Sequence, residues 1–181
     1  SYGLDACIGK NGHENCPFTT LADAEASSDS DDVIYVKPGD GTSTGQDEGI
    51  ALQAGQRLVG AGVTLEIDGV EVEEVNLAEV SYISSAGLEG LHAAILLPSS
   101  NDGMTFTVEG LTIQGGYAGV GIEDELLPVS DSSGSFSVFN GTLNVSNVII
   151  EGTSVAIILQ DLHGTLNVSD SELDGATDVV G

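Results

Sequence analysis

One segment of the chain occurs twice at a fixed offset, and this repeat restricts the fold more than any other feature. Gly141–Ser146 reads GTLNVS, and the same six letters return 23 residues later as Gly164–Ser169. A period of about 23 residues is in the range of one coil of a parallel β-helix, in which equivalent strands of successive coils lie about 4.8 Å apart. The repeat therefore predicts a stack of parallel strands.

A weaker copy of the same pattern lies earlier in the chain. Phe106–Gly115 has a similar order of apolar, polar and glycine residues, but Phe106 precedes Leu143 by 37 residues rather than 23. The excess of 14 residues (37 − 23) fits an insertion through Glu123–Gly134, which is rich in Ser, Asp and Gly. Insertions of this kind leave a solenoid as side loops, and we expect one there.

Within each copy, apolar and polar residues alternate, as in a strand with one buried face. Leu143 and Val145 flank Asn144 in the first copy. We therefore expect Leu143 to stack on Leu166, and Val145 on Val168, with all four side chains pointing inward. Asn144 should face solvent.

Turn residues follow each strand of the repeat. Asn147 and Gly152 are residue types that favour tight turns, and we expect them to turn the coil. Leucine-rich repeats have a similar period, but their leucine and asparagine pattern and their helix in each repeat are missing here. The pattern thus favours a β-helix.

The rest of the chain is a series of short apolar runs separated by Gly, Asn, Asp and Ser, which is typical of short strands. We predict one all-β domain over 1–181, with coils over 33–181 and an N-terminal cap over 1–32. In the cap, Thr20–Ala26 is the one helical stretch, with Thr20 as its N-cap; it should cover the open end of the solenoid and bury Leu21. The apolar runs are centred on 50–52, 57–59, 63–67, 70–75, 91–97, 105–113, 120–122, 135–139, 143–150, 155–159 and 166–173.

The two cysteines, Cys7 and Cys16, enclose a short polar loop that contains His13. A disulfide between them fits an oxidising compartment and is the interpretation we favour. The alternative is a metal site formed by Cys7, His13 and Cys16, which would lack the fourth ligand of a structural zinc site.

The charge balance excludes one class of partner. The chain has 29 Asp and Glu residues against three Lys and Arg residues, which gives a formal net charge of −26. Such a surface repels nucleic acid, because no basic patch can displace phosphate counterions. No apolar stretch has the length of a membrane span, so we expect no membrane insertion by this fragment.

Five segments of the N-terminal third form a recognisable series: Pro17–Ala24, Asp32–Val36, Gly39–Thr42, Gly49–Leu52 and Gln56–Gly62. This series resembles the opening of pectin-lyase-like right-handed parallel β-helices, particularly those of large bacterial surface and secreted proteins of the adhesin type. The resemblance implies a right-handed coil, an N-terminal capping helix and a place outside the cell or on the bacterial cell surface. Since the chain starts at Ser1 and ends within a coil pattern at Gly181, we expect it to be part of a larger protein.

Enzymes with this fold are polysaccharide lyases and hydrolases, and the residues argue against both. A lyase needs Arg or Lys as a base, and the chain has only Lys10, Lys37 and Arg57, all in the cap or the first coils. A hydrolase needs carboxylates on adjacent coils. The candidates Asp161, Asp170 and Asp174, with the nearby His163, are interpreted as solvated turn residues, so we predict no catalytic residue.

Calcium is the one ion for which the loops offer ligands. Asp40, Asp47 and Glu48 supply oxygen donors, but their spacing is not that of an EF-hand, and solvated acidic loops remain the favoured interpretation. An ordered threonine ladder is also not expected, because Thr-x-Thr does not recur in every coil; among the later apolar runs Thr105–Thr107 supplies it once.

These observations predict a non-catalytic structural or adhesive module of a bacterial secreted or cell-surface protein. It would bind glycan or another protein through side loops, and we expect no cofactor, with calcium as the one candidate ion. The alternative is the N-terminal part of a polysaccharide-degrading enzyme whose catalytic coils follow Gly181.

Overall fold

The computed structural model describes residues 16–39, 42–75, 80–85, 93–122, 138–159 and 162–174. Within these ranges the chain contains one short α-helix and fifteen β-strands, so it is β-rich, as predicted. The helix is α1 (Leu21–Ser27), and the first strands are β1 (Val33–Val36), β2 (Ile50–Ala51), β3 (Arg57–Gly60), β4 (Leu65–Ile67), β5 (Val70–Glu73), β6 (Tyr82–Ile83) and β7 (Ala93–Leu97). They are followed by β8 (Thr105–Glu109), β9 (Thr112–Gln114), β10 (Ala118–Ile122), β11 (Thr142–Ser146), β12 (Ile149–Glu151), β13 (Val155–Ile157), β14 (Thr165–Ser169) and β15 (Glu172–Leu173).

Thirteen of these strands form three parallel sheets. The first sheet has the order β1-β3-β8-β11-β14, the second has β6-β9-β12-β15, and the third has β2-β7-β10-β13. From β8 onward the chain visits the first, second and third sheets in turn, one strand in each, and then begins the next round. Strand neighbours are therefore distant in sequence and adjacent in space, as in a stack of coils.

The repeat pairs as its offset predicts. β11 and β14 are parallel, with Leu143 opposite Leu166 and Val145 opposite Val168. The weaker copy is in the same stack, because Phe106 of β8 lies opposite Leu143. The predicted side loop at 123–134 lies outside the described residues.

The inward orientation of the repeat is confirmed for Leu143, Val145 and Leu166, which belong to the core or pack against it, but the second copy is less buried than the first. Leu143 and Val145 are buried, whereas Leu166 is only half-buried and Val168 is 42 % exposed. The physical reason is position: β14 is the last strand of the first sheet and has β11 as its neighbour, but no further described strand covers its other side.

Residues with positive φ form the corner between the first and second sheets. Asn147 has φ 51°, its counterpart Asp170 has φ 49°, and Gly110 takes the same place one coil earlier with φ 69°. Glycine, asparagine and aspartate are the residues that adopt this left-handed conformation most readily. The predicted turn at Gly152 is also confirmed, with φ 67°.

The N-terminal helix is confirmed, including its cap. Thr20 Oγ1 accepts a hydrogen bond of 3.1 Å from the backbone N–H of Asp23, and Leu21 is buried. The helix lies against β2, whose Ala51 N–H donates to Glu25 Oε2 at 2.8 Å. Since β2 ends the third sheet, the helix provides an acceptor for a backbone donor at a sheet edge.

Gln56 is a fully buried polar residue. Its side chain connects the residues that follow α1 to the turn before β3. Its Nε2 donates to the carbonyl oxygen of Asp29 at 2.8 Å and to Ser28 Oγ at 3.1 Å. Its Oε1 accepts from the backbone N–H of Gln53 at 2.8 Å. A buried amide with three partners stabilises the fold, and each lost partner leaves an unsatisfied group.

Two of the predicted runs are not part of the parallel stack. Leu65–Ile67 and Val70–Glu73 pair antiparallel as a hairpin, with Asp68 and Gly69 at its tip, both at positive φ. Two central residues with positive φ match the twist of a two-residue hairpin, and Asp-Gly is a strong signal for it. The prediction of coil strands here is wrong, because the Asp-Gly pair favours a two-residue turn that reverses the direction of the chain.

Two valines in one column provide a matched test of the stack. We expect Val145→Asp to lower the free energy of unfolding by roughly 3 kcal/mol or more, because it buries an unpaired charge. Val168→Asp should cost under about 1 kcal/mol, because Val168 is exposed. Urea denaturation measures both, and equal losses would contradict the burial difference between β11 and β14.

The buried amide provides a second test. Gln56→Leu should lower the free energy of unfolding by about 1 to 3 kcal/mol, since it leaves the Gln53 N–H and the Asp29 carbonyl without their partner. Gln53→Leu removes an exposed hydrogen bond to Ser28 and is the control, with an expected loss under about 1 kcal/mol. A Gln56→Leu variant as stable as the wild type would show that the cap does not depend on this contact.

Candidate ligand-binding face

The predicted calcium ligands are only partly within the described residues. Asp40 lies outside them, Asp47 is half-buried and Glu48 is exposed. In the part of the chain that the structure describes, no three His, Cys, Asp or Glu side chains are close enough to hold a metal ion. The calcium site stays a prediction.

The predicted disulfide also lies only partly within the described residues. Cys16 is buried, but Cys7 and His13 lie outside the described residues. The Cys7–Cys16 pairing and the alternative metal site both stay predictions.

The carboxylates considered for hydrolysis occupy turns and strand ends. Asp170 and Asp174 are exposed; the first is the corner residue with positive φ, and the second directly follows β15. Asp161 lies outside the described residues. His163 is exposed, and its backbone N–H donates to the Phe139 carbonyl at 2.9 Å.

His163 and Asn140 occupy equivalent positions, because Phe139 and Leu162, the residues before them, form a parallel bridge. This equivalence supports the interpretation of His163 as a corner residue of the coil. Nothing in the described residues brings its side chain together with a pair of carboxylates.

The outer side of the first sheet presents a regular polar surface that the sequence analysis did not single out. In β8, β11 and β14 the residues that alternate with the core are Thr, Asn, Ser and one Glu, arranged in three rows across the strands. We call this surface the polar face. Its rows are Thr105, Thr142 and Thr165; Thr107, Asn144 and Asn167; and Glu109, Ser146 and Ser169.

The geometry of the polar face follows from the sheet. Equivalent residues of paired strands lie about 4.8 Å apart, and alternate residues along a strand about 6.6 Å apart. One row is bonded directly, since Asn167 Nδ2 donates to Asn144 Oδ1 at 2.9 Å. Asn144 is half-buried and Asn167 is exposed, so the prediction that this position faces outward is confirmed.

The polar face carries little charge although the whole chain carries −26. Glu109 is its one ionisable residue, and Arg57 Nη2 contacts Glu109 Oε1 at 2.6 Å. This pair is partly exposed, so its stabilising effect is small, but it compensates the charge of Glu109. The remaining groups are hydroxyls and amides, which can donate and accept hydrogen bonds.

The sequence did contain a signal for this surface. In the three strands of the polar face, Thr-x-Thr occurs only at Thr105–Thr107, because the second row changes from Thr107 to Asn144 and Asn167. When β8, β11 and β14 are aligned with one another, threonine occupies every position of the first row. Only the strand register shows that the three rows lie side by side.

Comparison of the chain with known proteins gives no match to any family model, curated protein or solved structure. Among the described residues, no helix has the length and apolar character needed to cross a membrane. The resemblance to pectin-lyase-like β-helices thus remains an expectation from the sequence.

Substitutions at Asp170 test its role as a turn residue. Asp170→Asn should change the free energy of unfolding by less than about 0.5 kcal/mol, because asparagine takes the same conformation at Asn147. Asp170→Val should cost about 1 kcal/mol or more, since β-branched residues disfavour positive φ. Urea denaturation checks both values, and a valine variant as stable as the asparagine variant would contradict the turn role.

Proposed function

We propose that the chain is a non-catalytic structural and adhesive module of a bacterial secreted or cell-surface protein. Its three sheets close into a right-handed parallel β-helix, which holds a ligand-binding surface rigid. The ligand is a glycan, bound at the polar face together with the side loops. The observation that carries the proposal is the regularly spaced polar face, whose one carboxylate is paired with Arg57, on a strongly acidic chain.

The shared core supports the closed solenoid. Val145 in the first sheet, Ile150 in the second and Ile157 in the third belong to one buried hydrophobic cluster. Side chains from three sheets can share a core only if the sheets face a common interior. The order of strand visits, repeated in β8-β9-β10 and β11-β12-β13, agrees with successive coils around that interior.

The chemistry of the polar face supports a glycan as the ligand. Sugar hydroxyls need partners that both donate and accept hydrogen bonds, and threonine, serine and asparagine side chains do both. The low charge of the face avoids the repulsion and desolvation cost that exposed carboxylates would impose. An uncharged glycan fits this surface better than a polyanionic one, which the net charge repels.

The enzyme alternative has weaker support. Glycoside hydrolysis needs a pair of carboxyl groups about 5 to 10 Å apart across a substrate site. Asp170 is a corner residue, Asp174 follows a strand end, and His163 is bound through its backbone at a different corner. We therefore expect incubation with plant and bacterial polysaccharides to release neither reducing ends nor unsaturated sugars.

A single isosteric substitution tests the polar face. Asn144→Asp keeps an acceptor for Asn167 Nδ2, so the row remains bonded, but it adds a negative charge and removes a donor. We expect binding of neutral glycans to weaken about tenfold or more, as a lost hydrogen bond to a ligand costs about 1 to 3 kcal/mol. Glycan arrays with and without calcium, followed by titration calorimetry on the best glycan, measure the change.

Asn147→Asp is the matched control. It makes the same chemical change three residues away, at a corner where the next coil already has aspartate. Its glycan binding should equal that of the wild type. Equal effects of the two substitutions, or no bound glycan for the wild type, would contradict the proposed role of the polar face.

A further inference from the structure

The hairpin β4–β5 exposes apolar side chains that a solvated surface would not favour. Of the seven large hydrophobic residues exposed in the described part of the chain, five lie between residues 67 and 80. Val70 is 64 % exposed and Val72 is 54 % exposed, more than any other residue of this kind. The other three are Ile67, Val75 and Val80.

Apolar and acidic residues alternate along this hairpin. Over β5, Val70 and Val72 point to one side, and Glu71 and Glu73 to the other, as the period of a strand requires. All four residues of β5 are exposed. Strand β5 therefore presents valine methyl groups on one face and carboxylates on the other.

The base of the hairpin contacts the rest of the structure, and these contacts hold the hairpin in place. Leu65 is buried, and Arg57 Nη1 donates to the Glu66 carbonyl at 3.3 Å. Glu73 lies near Tyr35 of β1; burial, and then the charge of Glu73, raise the pKa of the Tyr35 phenol above 10.0. β4 and β5 form a sheet with no third strand among the described residues.

We propose that β5 docks an extended peptide segment of a partner protein in which apolar residues alternate with Lys or Arg. The segment adds as a third strand and buries Val70 and Val72. Backbone hydrogen bonds at a sheet edge supply affinity in this mode of recognition, and alternate side chains supply specificity. This inference is independent of the glycan proposal, because it concerns a different surface.

The negative charge of the hairpin favours a basic peptide over a second copy of the chain or an anionic lipid surface. The segment from residue 66 to 75 contains Glu66, Asp68, Glu71, Glu73 and Glu74 and has no Lys or Arg, so a basic strand is its electrostatic complement. A second copy of the chain would bring the same carboxylates and a further charge of −26. An anionic lipid surface is repelled for the same reason, and valine methyl groups offer a glycan no hydrogen bond.

The test uses a fluorescent peptide in which valine and lysine alternate, and a second peptide with the same composition in two blocks. Fluorescence anisotropy with the whole chain measures the affinity of each. We expect the alternating peptide to bind at least about tenfold more tightly than the block peptide, since only its apolar residues share one strand face. The affinity should fall as salt is added, because the carboxylates contribute.

A double substitution locates the site. Val70→Thr with Val72→Thr keeps the β-branched shape and β-propensity but removes apolar surface, and it should weaken the alternating peptide about tenfold. Val168→Thr is the control, because Val168 is an exposed strand valine outside the hairpin. It should leave the affinity unchanged, and thermal unfolding of each variant verifies the fold.

Three results would overturn the proposal. Equal affinity for both peptides would mean nonspecific attraction to an acidic chain, and an unaffected double variant would place binding elsewhere. Self-association in sedimentation experiments that disappears in the double variant would make a second copy the occupant of the hairpin.

Discussion

In-register parallel pairing in the first sheet is the constraint on which the rest of the structure depends. Each coil must return the chain to the same row, so that Phe106, Leu143 and Leu166 come to lie opposite one another. Once this pairing is fixed, one side of each strand enters the shared core and the other forms the polar face. A shift by one residue would exchange the two sides.

The corners preserve this register. Residues that accept positive φ follow three strands of the first sheet, since Gly110 comes directly after β8, Asn147 after β11 and Asp170 after β14. The chemistry differs among the three, but the backbone conformation is common. This explains why an acidic residue that sequence reasoning considered for catalysis has a structural role instead.

Sequence reasoning predicted the stack, the pairing of the repeats and the capped helix, because each depends on local chemistry or on one fixed period. It did not predict the hairpin, although Asp68-Gly69 is a turn signal, because the neighbouring valine runs also matched the expected coil strands. The exposure of Val168 depends on what lies beyond β14, and a repeat pattern carries no such information. The polar face could be recognised only from the strand register, because its second row mixes threonine with asparagine.

Charge is distributed unevenly over the described surface, and the proposals for function follow from this distribution. The polar face has one compensated carboxylate, whereas the hairpin has several carboxylates beside exposed valines. The first surface is suited to ligands with many hydroxyl groups, and the second to a basic strand. The two surfaces are separate, because the polar face lies on strands of the first sheet and the exposed valines lie on the two-stranded hairpin.

Methyl NOE spectroscopy tests whether the three parallel sheets enclose one common core, as we propose. In protein with labelled methyl groups, the account predicts cross-peaks that link Val145, Ile150 and Ile157, which belong to three different sheets but to one buried cluster. It also predicts cross-peaks between Leu143 and Leu166, which pair in adjacent coils. Cross-peaks confined to residues of a single sheet would contradict a common interior and, with it, the β-helix.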